Sequence, residues 1–477
     1  MTWWRRGTIY EIYPRSFQDS DGDGVGDLRG ITERLPYVRD LGVDAIWLTP
    51  IYESPQRDFG YDISDHCAID PRYGSMEDFE ALTARAHELG LKVLVDYVPN
   101  HTSDLHPWFA ERPDFYLWHD GPPPNNWIAV FGGPAWERVG DRSYYHAYLP
   151  EQPDLDWRNP AVREAMYDVL RFWIDRGVDG FRVDAMRQLL KDPQLRDNPP
   201  NPDYEPGQPE YDSLIPLHTT DLDEVQEIVA EMRGVIGDDR LMIVEVYAEI
   251  ERLVRYYGEG GRGAHLPFNF HLISTPWEAE AIGALIERYE AALPEGAWPN
   301  WVLGNHDRPR IASRVGAAQA RVAAMLLLTL RGTPTLYYGD ELGMADVDVQ
   351  RFDPAGRDPE RTPMQWDDGG GFTSGEPWLP YGDLAINVEA QREDPGSMLS
   401  LYRALLRLRR DFAEADYRTL HAADGVLAYA RGERTAVALN LTGEPRPLPV
   451  AGDVLLSTHL DGGGDGLRGD EGVVLRL

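Results

Sequence analysis

Short apolar, β-rich runs alternate with stretches of helical period through most of this 477-residue chain. The runs fall at Gly7–Tyr13, Asp44–Thr49, Lys92–Val98, Gly180–Val183, Leu241–Val246, Leu266–Phe270, Trp301–Leu303 and Thr335–Tyr338. Amphipathic segments such as Ser75–Leu89 and Pro160–Arg176 separate several of them. Eight strands with interposed helices predict an α/β fold, a parallel (β/α)8 barrel.

The spacing is uneven. After the third run, residues 102–158 are rich in Pro, Trp and Tyr with weak helical period, and are expected to form an inserted subdomain on the active-site side. A segment dense in Pro, Asp and Asn at about 191–216 is expected to be a lid loop, and a third insertion runs from about 345 to 394. Ser397–Phe412 is the helix that closes the barrel. Beyond it, short strands with Gly-rich turns predict a C-terminal β-sandwich. The expected domains are therefore 1–101 and 159–415 for the barrel, 102–158 for the insertion and 416–477 for the sandwich.

The net charge of −34 repels phosphates and anionic lipid, so nucleic acid and membrane are not expected partners. The acid excess by itself provides solubility and names no substrate. Cys67 is the one cysteine, which excludes an intramolecular disulfide and suits a reducing compartment. No signal-peptide core follows Met1, and the longest apolar run, Ala323–Leu330, is too short to span a bilayer. A cytoplasmic location is the expectation.

Polar residues at the C-terminal ends of barrel strands face the active site. In G-F-R-V-D-A, Arg182 and Asp184 are two apart and share a strand face, so the guanidinium is expected to keep the carboxylate ionised as a nucleophile needs. The alternative is a structural ion pair. Glu245 ends the apolar run L-M-I-V-E, where apolar walls are expected to raise its pKa to suit a general acid. N-H-D supplies His306 and Asp307, with a helix cap as the alternative role for Asp307. D-Y-V-P-N-H supplies Asp96, Asn100 and His101.

Those four motifs, in this order, resemble the signature regions of the α-amylase superfamily, glycoside hydrolase family 13. Q-P-D-L-D at 152–156 resembles a fifth, that of the α-glucosidase and oligo-1,6-glucosidase group, with Asp156 in place of the usual Asn. The resemblance implies that Asp184 is the nucleophile, Glu245 the acid/base and Asp307 the third carboxylate that stabilises the transition state. It implies that Arg182, His101 and His306 hold the sugar. In D-F-G-Y, Asp58 grips the terminal sugar and Tyr61 lies beneath it; in R-D-P-E-R, Arg361 is the partner of Asp58. The implied activity is a retaining, exo-acting α-glucosidase on small α-glucosides. Ala185, small and next to the nucleophile, leans toward α-1,4 linkages such as maltose. The rivals are transglucosylation, sucrose hydrolysis, isomerisation or α-1,6 cleavage on the same site, and a non-catalytic sugar-binding relative.

One further loop carries chemistry. In D-S-D-G-D-G-V-G-D, oxygen donors recur at Asp19, Asp21, Asp23 and Asp27, with the Val25 carbonyl between them. The alternation resembles the start of an EF-hand loop. The expectation is a structural Ca²⁺ or Mg²⁺ outside the chemistry; the alternative is an acidic turn. Oligomeric state is not legible.

Overall fold

The eight runs form eight parallel strands in the computed structural model, which describes residues 2–350, 352–464 and 466–477. They are β1 Ile9–Ile12, β2 Ala45–Leu48, β3 Lys92–Tyr97, β4 Gly180–Val183, β5 Leu241–Val244, β6 Leu266–Pro267, β7 Asn300–Val302 and β8 Thr333–Tyr337. The pairing order β6-β5-β4-β3-β2-β1-β8-β7 curls the sheet into a nearly closed barrel. β6 is shorter than the run 266–270, because the chain turns out after Pro267.

The two-residue period of the strands sorts the barrel interior into layers. Ile9, Leu94 and Ile243 point into an apolar cluster with Trp47 and Leu266. Two residues further along the same faces stand Glu11, Asp96 and Glu245, with Arg182 level with Asp96 in the β3–β4 register. The barrel is thus greasy at one end and charged at the end where the chemistry sits. Gly180 permits this packing: a Cβ there would lie 2.4 Å from the Leu241 carbonyl oxygen and 2.6 Å from the Leu94 side chain.

Helices form where caps and apolar stripes agree. α1 (Leu28–Leu41) is N-capped by Asp27, which accepts from the Gly30 amide. α2 (Met76–Glu88) starts on a Ser75–Asp78 capping box. α3 (Pro160–Asp175) has Asn159 as cap and Pro160 at its first position, and buries Val162, Met166, Leu170 and Trp173. α4 (Ala317–Thr329) is almost wholly buried, because it lies between the barrel and the C-terminal sheet; this accounts for the apolar run 323–330. Among the described residues, no helix is long and apolar enough to cross a membrane. α5 (Met398–Arg409) is the expected closing helix.

Residues 118–145 of the insertion form a three-stranded antiparallel sheet with its own aromatic core around Trp127, Trp136 and Tyr145. After α5 come β9 Tyr417–Ala423, β10 Val426–Arg431, β11 Thr435–Asn440, β12 Asp453–Ser457 and β13 Gly472–Arg476, in the order β9-β10-β11-β13-β12. One face of this antiparallel sheet joins the main core through Leu427, Tyr429, Val437 and Leu439. The other is covered by a second apolar layer, Leu448, Val450 and Leu467, in keeping with the expected sandwich.

Candidate active site

Arg182 organises the charged end of the barrel. One of its terminal nitrogens donates to Asp96 Oδ1 at 2.8 Å and to Asp184 Oδ1 at 2.6 Å; the other lies 3.0 Å from Glu245 Oε1. Asp184 and Glu245 are therefore held by adjacent nitrogens of one guanidinium. A shared guanidinium is compatible with a retaining pair, typically about 5–5.5 Å apart. The Ala185 amide donates to Glu245 Oε2 at 2.9 Å. Ala185 does so from the left-handed region, φ 46°, an uncommon conformation for a side chain other than glycine.

Two electrostatic expectations change. Glu245 does not stand among apolar walls alone: a cation and a backbone donor face it. Arg182 also does not act on Asp184 unopposed. Burial pushes Asp184 well above the usual carboxylate range; Arg182 opposes this, while Glu245 and Asp96 reinforce it. Burial likewise raises Asp96, to about 6 against the pull of Arg182. One guanidinium thus faces three carboxylates, Asp96, Asp184 and Glu245.

Asp307 has the opposite setting. Its Oδ1 lies 2.9 Å from Arg361 and 3.1 Å from Arg357, and its Oδ2 lies 3.3 Å from His306 Nε2. Burial works against ionisation, yet these neighbours hold Asp307 far below the usual range. Burial pushes His306 itself down to about 3, so the imidazole is neutral at working pH and the guanidiniums do the holding. The ring of Tyr61 stacks on His306 at 5.5 Å with 6° between planes.

Asp58 is buried, as a residue gripping a terminal sugar requires, but its partner is not Arg361. Arg357 lies 2.5 Å from Asp58 Oδ1 and also binds Asp353 and Asp307. Arg361, four residues later, turns to the His306 carbonyl and Asp307. In R-D-P-E-R both arginines were available; across the turn at 358–361 they share Asp307, and only Arg357 reaches Asp58. Gln152, the first residue of Q-P-D-L-D, donates to Asp58 Oδ2 at 2.8 Å and lies 3.1 Å from His101 Nε2. Asp154 of the same motif binds Asn100 and Lys191. The motif thus ties the insertion to the end of β3.

These groups surround a cavity of about 750 Å³ lined by Asp58, Tyr61, His101, Asp184, Glu245 and Asp307. All three insertions reach it: Phe131 and Tyr148 from the first, Tyr211 and Asp212 from the lid segment, Arg357 from the third. Arg187, Tyr247 and Arg308 separate it from a neighbouring cavity of about 670 Å³. Neither the second cavity nor the role of Tyr247 was legible beforehand.

The acidic loop gathers Asp19, Asp21 and Asp27, with one oxygen of each within 4.8 Å of the others. The Asp23 carboxylate instead accepts from the Val25 amide at 2.8 Å, and Asp27 also serves as the α1 cap. Cys67 is half-buried, and burial pushes its thiol up to about 11, so it is no nucleophile at neutral pH.

The catalytic-domain model of the α-amylase family matches residues 11–416. The chain belongs to this family of glycoside hydrolases. It is 44% identical to Maltase 1 of Drosophila virilis over 86% of this chain and 73% of that one. It is 40% identical to a probable alpha-glucosidase of Rhizobium meliloti (strain 1021), covering 86% of this chain and 82% of the relative. Among solved structures, the alpha-glucosyl transfer enzyme XgtA superposes with a TM-score of 0.94 at 38% identity, over 100% of this chain and 99% of that one. A point mutant of the trehalulose synthase MutB superposes with a TM-score of 0.90 at 32% identity, over 100% of both chains.

Proposed function

We propose that this enzyme is a retaining, exo-acting α-glucosidase that releases α-glucose from the non-reducing end of short α-1,4-glucosides. The observation that carries the reading is the pairing of Arg357 with Asp58 in a cavity whose other wall holds Asp184 and Glu245 on one guanidinium. A charged bar beside the catalytic pair makes a dead end for a terminal sugar.

Asp184 attacks the anomeric carbon through the oxygen that Arg182 leaves free. Glu245, as the general acid, protonates the leaving oxygen, and the glycosidic bond breaks. A β-glucosyl ester forms on Asp184. Water, deprotonated by Glu245, then displaces the ester and yields α-glucose. Asp307, kept ionised, offsets the positive charge that develops on the sugar ring.

A structural Ca²⁺ or Mg²⁺ is part of this proposal. Asp19, Asp21 and Asp27 would hold it, with Asp23 and the Val25 carbonyl as further donors; a hard cation suits an all-oxygen set. When bound it would neutralise three gathered carboxylates and take no part in the reaction. The lone cysteine fits a reducing compartment, and we place the enzyme in the cytoplasm on that ground.

Glucose release from maltose and isomaltose by wild type and Asp184→Asn tests the reading. Maltose cleavage that the substitution abolishes supports it; unchanged activity in the variant overturns it. A second reading is glucosyl transfer, favoured by the cavity beyond Tyr247, which has room for an acceptor. Product masses at high maltose separate transfer from hydrolysis.

A further inference from the structure

A fourth carboxyl group stands behind the active site. Glu11, on β1, is fully buried. Its Oε1 lies 2.6 Å from His306 Nδ1 and 3.3 Å from the His306 amide, while Oε2 has no hydrogen-bond partner. The charged and titratable groups around it are Asp96 of β3, Arg182 of β4, Tyr337 of β8, and His306 with Asp307 after β7. Glu11 does not line the cavity and cannot touch the sugar.

The hydrogen count around His306 restricts what Glu11 can be. Tyr61 Oη lies 2.8 Å from His306 Nε2 and 3.1 Å from Asp96 Oδ2, and it has one proton to give. Given to Asp96, that proton requires Nε2 to carry its own hydrogen and donate to Tyr61. Nδ1 is then an acceptor, and the donor 2.6 Å away is Glu11 as the neutral acid.

The opposite arrangement fails in three places. An ionised Glu11 would draw the imidazole hydrogen to Nδ1 and leave a lone pair on Nε2. That lone pair would face the Asp307 carboxylate at 3.3 Å. Tyr61 would turn to Nε2 and leave Asp96 Oδ2 with only the Trp47 indole at 3.3 Å. Glu11 Oε2 would be a bare, buried charge.

We propose that Glu11 is a positioning residue which, as the neutral acid, donates to Nδ1 and fixes His306 as the Nε2–H tautomer. His306 Nε2–H then donates to Tyr61, and Asp307 Oδ2 at 3.3 Å faces that N–H edge instead of a lone pair. Donation runs in one direction, from Glu11 through His306 and Tyr61 to Asp96, which Arg182 also binds. Burial supports this state. It pushes Glu11 well above the usual range, with Arg182 opposing, and it pushes His306 down to about 3.

Only the kinetic arm of the test rests on the α-glucosidase reading. Glu11→Gln keeps an N–H donor in place, and Glu11→Leu removes it. Nitrogen NMR of ring-labelled histidine, with His306 assigned through His306→Gln, reads the tautomer from about pH 5 to 8. The expected result is Nε2–H in wild type and in Glu11→Gln at every pH. On maltose, Glu11→Gln keeps kcat, and Glu11→Leu loses about 10–100-fold in kcat with a smaller change in KM, the scale seen when the group behind a functional histidine is removed. Nδ1–H in the wild type overturns the proposal, as does a folded Glu11→Leu with wild-type kcat. If Glu11→Leu does not fold, the ring state of the other two proteins decides. A wild type that cleaves no α-glucoside sinks the functional reading and leaves the ring measurement valid.

Discussion

Arg357→Ala asks the sharpest question of the pocket. The guanidinium contacts three carboxylates: Asp58 at 2.5 Å, Asp353 at 2.5 Å and Asp307 at 3.1 Å. Breaking a buried pair costs about 3–5 kcal/mol, because a charge is left uncompensated. Two partners soften the loss here. Gln152 still donates to Asp58, and Arg361 still binds Asp307. A loss of about 2–3 kcal/mol in transition-state binding remains, or about 30–150-fold in kcat/KM on maltose. The product pattern must change as well. With the bar gone, maltoheptaose should yield maltose and longer fragments among its first products, read by chromatography at low conversion. Arg361→Ala should lower kcat through Asp307 yet leave glucose as the first product. The reasoning is refuted if Arg357→Ala stays close to wild type and still releases glucose alone, or if Arg361→Ala is the variant that opens the pattern.

Other outcomes follow from the same structure. Chelation should lower the melting temperature and leave kcat/KM on maltose unchanged while the protein stays folded, since the Asp19–Asp27 loop lines no part of the cavity; a calorimetric scan with and without chelator checks this. Burial raises Asp340 to about 7, with Arg310 opposing from 4.0 Å. Its folded state binds a proton more tightly than the unfolded chain, so that stability is full below about pH 4 and is lost as pH rises to about 7. Asp340→Asn should therefore gain on wild type at alkaline pH, by roughly 2–4 kcal/mol in denaturant titrations, and gain little in acid. Ala185→Val places a β-branched side chain at φ 46° and adds bulk to the cavity wall; it should cost about 1–3 kcal/mol in stability and lower the rate on maltose relative to isomaltose.

The sequence carried the barrel because each strand is a compact apolar run with a polar residue at one end. That same pattern carried Asp184, Glu245 and Asp307. It was silent on direction. Arg357 and Arg361 share one short motif, and only the turn at 358–361 assigns Arg357 to Asp58. Glu11 sits inside the apolar run G-T-I-Y-E-I-Y, where a single charged residue on the buried face was the available signal. The setting of Glu245 depends on Arg182 reaching across from β4, a contact between residues 63 positions apart. The insertion's strands are three or four residues long, too short for a periodicity to register.

The central claim is a covalent glucosyl ester on Asp184. A 5-fluoro-α-glucosyl fluoride slows release of such an ester enough to trap it, and mass spectrometry of the digested enzyme locates the label. The expected result is one fluoroglucosyl group per chain on the peptide that carries Asp184. Label on another carboxylate, or no label together with β-glucose as the first product from maltose, would contradict the account.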